Sequence, residues 1–192
     1  MSTRPALLCK YVLILASASP RRHELLLAAD IPHIVQPTHI TEQRRPGEPS
    51  IGFVQRMAEE KARAIARSPG EIVLAADTVV CLENEVLGKP ATDADAASML
   101  RLLSGREHGV HTGICLLSDA RCIIDVSSTR VSFVYLTEGE IQEYIRSGEP
   151  KDKAGAYAIQ GHASRFVRRI EGCYHNVVGL PVSLVYRHLK TL

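Results

Sequence analysis

The stretch ILASASPRR, residues 14–22, carries three signals whose order decides the fold. Tyr11 to Ala16 is a continuous apolar run of strand length, and the small and hydroxyl residues Ser17 to Ser19 make a short loop. Pro20 then suits the first position of a helix predicted to reach Ala29, ahead of Pro32, with Ser19 as its N-cap candidate. The result is a strand, a loop of phosphate size and a helix. Arg21 and Arg22 fall in the opening helical turn, where the partial positive charge of the helix start opposes each by about 0.3–1 kcal/mol if exposed. Free amides, the hydroxyls of Ser17 and Ser19, and two guanidinium forks together match a multiply charged phosphate. The other reading is a pair of solvated surface arginines that tolerate a small penalty. No GxxxxGK[ST] loop is present and no GxGxxG follows the first strand, so the P-loop and Rossmann solutions are excluded.

Outward from this unit, TEQRRPGEP (residues 41–49) is polar and turn-rich and predicts a surface loop that contains Glu42. Ser50 is positioned to cap a helix running to about Arg67, with Val54, Met57, Ala58, Ala62 and Ile65 as its apolar stripe and Lys61 on the same stripe. EIVLAADTVVCLENEVLGKP (residues 71–90) reads as a strand apolar on both faces, a turn at Glu83 to Glu85 and a short return to Lys89. Thr92 with Asp95 and Thr137 with Glu140 form capping-box patterns for two more helices, the first ending at Leu103 before Gly105. Between those helices, His108 to Tyr135 predicts two or three strands; beyond them come an irregular GEPKDKAGAYAIQG, a strand near Phe166 to Ile170 and a last helix from Pro181.

The 192 residues are 45% hydrophobic, enough for one core-forming domain, 1–192, with room for two lobes. A formal charge of +2 without a long basic block points away from a general nucleic-acid binder. No run approaches the roughly 18 apolar residues of a membrane span, so no membrane partner is expected. Lys10 splits the N-terminal apolar stretch, which therefore reads as strand and helix rather than as a signal peptide. Cys9, Cys81, Cys115, Cys122 and Cys173 are odd in number and contain no CxxC, as expected of reduced thiols in a cytoplasmic protein. The histidines show no HExxH, and His108 with His111 fits a strand or turn better than a zinc site. Cys173 and Tyr174 read as structural.

Asp77 is the hardest residue to place. A carboxylate in a doubly buried strand carries a desolvation penalty of several kcal/mol and is a poor strand former, so it lines a functional cleft, holds a cation, or satisfies a neighbouring loop from a strand end. Lys61 can snorkel from the edge of its apolar stripe, and Lys89 can be an ordinary turn lysine. Cations for phosphates beside acids in clefts suggest metal-assisted phosphoryl or nucleotidyl chemistry, with Glu42 and Asp77 as oxygen ligands for Mg²⁺ or Mn²⁺.

LASASPRR, EKARAIA, AADTVV, VLGKP, GEPKDKAGAYAIQG and FVRRIEGCYHNVVGLP, in this order and over nearly the whole chain, resemble the Maf family of nucleoside triphosphate pyrophosphatases, also called septum formation proteins. The resemblance implies an α/β fold with a mixed twisted sheet flanked by helices, in two lobes around a cleft, similar to inosine triphosphatases. It implies hydrolysis of a nucleoside triphosphate to monophosphate and pyrophosphate with a divalent metal. Carried over by motif, Asp77 activates water or holds the metal and Glu42 is its acidic partner. Ser17, Arg21, Arg22 and the catalytic lysines Lys61 and Lys89 bind and polarise the triphosphate, with Ser19 also on the substrate. DKAGAYAIQG is similar to the branch acting on dTTP and UTP, which makes Gln160 the base reader and Arg21 and Thr78 further specificity positions; an amide both donates and accepts, as a pyrimidine edge does. The branch acting on 7-methyl-GTP has a Glu-containing segment there, and this chain departs from its own branch in GHASRF. A homodimer is expected. The rival from another class is a nucleotide-binding regulator of cell division with little turnover, which leaves Asp77 beside so many phosphate ligands without a purpose.

Overall fold

The computed structural model describes residues 11–83 and 85–192, so Cys9 and the N-terminal reading through Lys10 lie outside the described residues. The chain divides into two compact units. One holds the described chain through Asp77 with Thr112–Ser127 and Gly179–Leu192, and the other holds Thr78–His111 and Ser128–Val178.

The first unit begins with β1 (Val12–Leu15), α1 (Pro20–Ala28), β2 (Ile34–Val35) and α2 (Ser50–Arg63), and then enters β3 (Glu71–Leu82). β1 pairs in parallel with β2 on one side and with β3 on the other, Val12 facing Glu71 and Leu15 facing Leu74. Side chains alternate across a strand, so these buried strands feed two cores. Leu13, Leu15, Ile72, Leu74 and Ala76 pack with Leu26 of α1 and with Val182, Val185 and Leu189 of the last helix, α6 (Val182–Leu189). Ile14, Ala16, Val73 and Ala75 pack instead with Ala58 and Ala62 of α2 and with Ile65. Asp77 continues the second series. The same alternation that buries Val73 and Ala75 against α2 therefore turns Asp77 toward α2.

The second unit takes the remainder of β3, then β4 (Glu85–Leu87), which pairs antiparallel with it, and α3 (Asp93–Leu103). β5 (Glu107–Leu117) and β6 (Cys122–Phe133) pass through both units. They are followed by α4 (Glu138–Arg146), 3₁₀ turns at Ala154–Ala156 and His162–Phe166, β7 (Val167–Glu171) antiparallel to β6, and α5 (Tyr174–Val178). The strands form one seven-stranded mixed sheet in the order β2-β1-β3-β5-β6-β7, with β4 on β3. Both capping boxes form as expected: Thr92 accepts from Asp95 N–H and Thr137 from Glu140 N–H. Phe133, Tyr157 and Phe166 are buried together in this unit, with Tyr144 packed on Phe166.

Several local expectations are corrected. Ser19 occupies the N-cap position of α1 but its side chain makes no capping bond; its backbone N–H donates instead to Ser17 Oγ at 3.1 Å. Pro49, not Ser50, is the N-cap of α2, and that helix ends at Arg63 rather than near Arg67, the chain tightening through Ile65 N–H to Ala62 O. β2 and α5 were not expected from the sequence; each is too short to show a period.

Candidate active site

The loop between β1 and α1 is organised by Ser17. Its buried hydroxyl accepts from Ser19 N–H at 3.1 Å and from the Arg22 guanidinium at 3.2 Å. Arg22 also donates through Nε to Gly179 O at 2.8 Å, which fixes the direction of its fork. Arg21 and Arg22 are half-buried, so the reading as freely solvated arginines fails for both. Desolvation lowers the Arg22 pKa from its ordinary value, and the negative charges of Asp77 and Glu42 oppose that effect. The cations of the helix start and the two acids thus share one electrostatic site.

Lys61 sits at its centre. Its ammonium donates to Asp77 Oδ1 at 2.6 Å and lies 2.7 Å from Glu42 Oε1. Both Lys61 and Asp77 are buried, whereas Glu42 reaches in from the exposed loop after β2. Lys61 does not snorkel to solvent, and Asp77 does not serve a neighbouring loop. Burial pushes the Asp77 carboxyl above its ordinary value, while Lys61 and Arg22 pull it back and Glu42 adds to the rise. The lysine falls one turn after Ala58 and beside Ala62, on the face of α2 that covers Val73 and Ala75. Helix period and strand period therefore converge on this ion pair.

The donor chemistry fits a hard divalent cation. Two carboxylates already converge on one positive charge, and Mg²⁺ commonly takes one or two protein carboxylates and completes its shell with water and substrate phosphate. Among the described residues no cluster of three or more His, Cys, Asp or Glu side chains is placed to hold a metal. No described helix is long and apolar enough to cross a membrane.

Thr78, Lys89 and Gln160 belong to the second unit. Thr78 is half-buried on β3, Lys89 is exposed just after β4, and Gln160 is exposed in the turn between the two 3₁₀ segments. Sequence reasoning missed Arg56. Its guanidinium donates to both Glu48 oxygens at 2.6 and 2.7 Å, to Gln43 O at 3.0 Å and to Glu60 at 3.0 Å. It ties down the loop that delivers Glu42. The available signal was an arginine one turn before Glu60 on α2, which looks like an ordinary surface pair.

Residues 12–192 match the family model described as Maf-like protein. The chain belongs to the Maf-like family. Among its relatives, the dTTP/UTP pyrophosphatase of Koribacter versatilis is 50% identical over 179 residues, covering 93% of each chain. That of Geobacillus sp. is 50% identical over 181 residues, 94% of this chain and 97% of the relative. A solved nucleoside-triphosphatase / dITP/XTP pyrophosphatase from Mycobacterium abscessus aligns at 16% identity with a TM-score of 0.42, over 65% of this chain and 74% of that one. In this Maf-like chain the motifs LASASPRR and EKARAIA and the Ala75–Asp77 part of AADT lie in one unit, with Lys61 bonded to Asp77.

Proposed function

We propose that this chain hydrolyses dTTP and UTP to the monophosphate and pyrophosphate. The observation that carries the reading is the Lys61 ammonium held between Glu42 and Asp77, in the same unit as the Ser17–Arg22 helix start. Relatives about half identical over nearly the full chain, named for this activity, supply the substrates.

In this mechanism the amides opening α1, the Ser17 hydroxyl, Arg21 and Arg22 bind the triphosphate oxygens and stabilise charge on the departing pyrophosphate. Asp77, whose basicity burial raises, takes a proton from the water that attacks the α-phosphorus; the bond from that phosphorus to the bridging oxygen breaks. Lys61 keeps both acids oriented. Glu42 and Asp77 would hold Mg²⁺ or Mn²⁺, which supplies charge neutralisation at the phosphates. The family resemblance assigns Lys89 to the polyphosphate and Gln160 and Thr78 to the base. The protein is proposed to act in the cytoplasm, as a homodimer.

The test is incubation with Mg²⁺ or Mn²⁺ and a panel of canonical and modified nucleoside triphosphates, with pyrophosphate and orthophosphate measured separately. Pyrophosphate from dTTP and UTP well ahead of the purines is expected. Stoichiometric binding without turnover would instead identify a regulator, and orthophosphate alone a different scissile bond. Asp77→Asn is expected to lower kcat at least about a thousandfold with the fold retained, measured by pyrophosphate release and circular dichroism.

A further inference from the structure

Gln160 is exposed, and its turn closes through a single backbone bond from Gly161 N–H to Ala158 O at 3.0 Å. A side chain that discriminates donor from acceptor on a base has to be presented in one direction, and a loose turn loses backbone entropy to do so. In this chain the turn is fixed before any ligand arrives. Glu149 Oε2 accepts from His162 N–H at 2.9 Å, and Oε1 accepts from Ala163 N–H at 3.3 Å and from the Tyr144 hydroxyl at 2.8 Å. The Tyr144 oxygen in turn accepts from Ala158 N–H at 3.1 Å. One carboxylate and one phenol therefore hold the backbone on both sides of Gln160.

Each part suits this task. The Tyr144 ring is buried on α4 against Phe166, with ring centroids 5.3 Å apart, so the phenol oxygen has little freedom. Three donors converge on the Glu149 carboxyl, two on Oε1 and one on Oε2, a set that an acceptor-only carboxylate suits best. A β-carbon on Gly161 would collide with the Glu149 carboxylate and would push that side chain out of its place. The glycine after Gln160 thus lets the carboxylate keep its present position.

We propose that Glu149, with Tyr144, is a positioning residue for base selection that sets the turn from which Gln160 reads the pyrimidine. The proposal rests on Gln160 being the base reader. Thymine and cytosine present opposite donor and acceptor patterns at adjacent ring positions, so a misdirected amide loses selectivity between them first. A residue that acts only through the Gln160 turn leaves binding of the polyphosphate unchanged.

The experiment compares kcat/KM for dTTP and dCTP, and the inhibition constant of inorganic pyrophosphate, in the wild type, Glu149→Gln, Tyr144→Phe and Gln160→Ala. Glu149→Gln replaces one acceptor oxygen with a donor, and Tyr144→Phe removes only the hydroxyl from an otherwise unchanged core. Both are expected to lower the dTTP:dCTP ratio at least about tenfold while the pyrophosphate constant stays within about twofold. In the Gln160→Ala background neither is expected to change the ratio further. A ratio that stays constant in both variants while Gln160→Ala lowers it overturns the positioning role alone, as does an equal loss for both nucleotides. A ratio unaffected by Gln160→Ala removes the base-reading assignment and the proposal with it.

Discussion

An ammonium 2.6 and 2.7 Å from two carboxylates fixes the energetics of Lys61. Removing one member of a buried pair strands the other, typically at a cost of about 3–5 kcal/mol, whereas replacing both can be nearly neutral. Lys61→Met is therefore expected to lower unfolding stability by about 3–5 kcal/mol and to abolish turnover, and adding Asp77→Asn should recover more than half of that stability. Urea unfolding of the two variants measures both numbers; additive losses would mean that the pair is not coupled. Glu42 reaches the lysine from a side chain that remains 45% exposed, so Glu42→Gln should cost at most about 1 kcal/mol while still reducing turnover. Lys61 and Asp77 were each legible as residues out of place on apolar surfaces. That each resolves the other was not, because their contact depends on which face of β3 meets which face of α2.

Among the elements, the two capping boxes were fully legible because both partners lie within four residues of one another. Thr92→Ala should cost about 1 kcal/mol and leave kcat unchanged. The cap of α1 was not legible: nothing local says that the Ser19 side chain makes no capping bond while its N–H donates to Ser17 Oγ. The loop from Gln43 to Glu48 depends on a similar nonlocal device. The forked hydrogen bond from Arg56 holds the Glu48 carboxyl down to about 2, so the contribution of this anchor is complete above the ordinary glutamate value of about 4.5 and is lost as pH falls toward 2. A lysine keeps the charge but not the planar fork. Arg56→Lys is expected to lower kcat about tenfold through Glu42, with the melting temperature changing by only a few degrees. Pyrophosphate release and thermal unfolding separate the two effects, and a full kcat in that variant would show that the loop holds Glu42 without the fork.

For the whole molecule, the order of the longer strands and helices could be read in advance, but the division of β3, β5 and β6 between two units could not, since each is a single uninterrupted strand. The fate of His108 was likewise hidden. In sequence it is a polar residue at the start of a strand; in the fold it is 3% exposed, its ring edge-on to Phe133 at 5.0 Å and its Nε2 sharing a hydrogen bond of 2.9 Å with the Tyr157 hydroxyl. Its Nδ1 is buried without a partner among the described residues. Desolvation pushes its pKa down to about 4, against about 6.5 in the unfolded chain. Between those values the unfolded state binds the proton and the folded state does not, so stability falls as pH falls through this window and is fully retained above it. The shift corresponds to about 3 kcal/mol lost by pH 4. The depressed carboxyl of Asp125 titrates below this window, while the raised carboxyl of Asp77 acts in the opposite sense, so the histidine is best isolated by difference. His108→Phe leaves the Tyr157 hydroxyl without its partner and should be less stable than the wild type near pH 7.5 by about 1–3 kcal/mol. Its disadvantage should disappear or reverse near pH 4.5. Denaturant unfolding of both proteins across pH 4.5–7.5 tests this, and parallel stability curves would show that His108 accepts a proton in the folded state as readily as in the unfolded one.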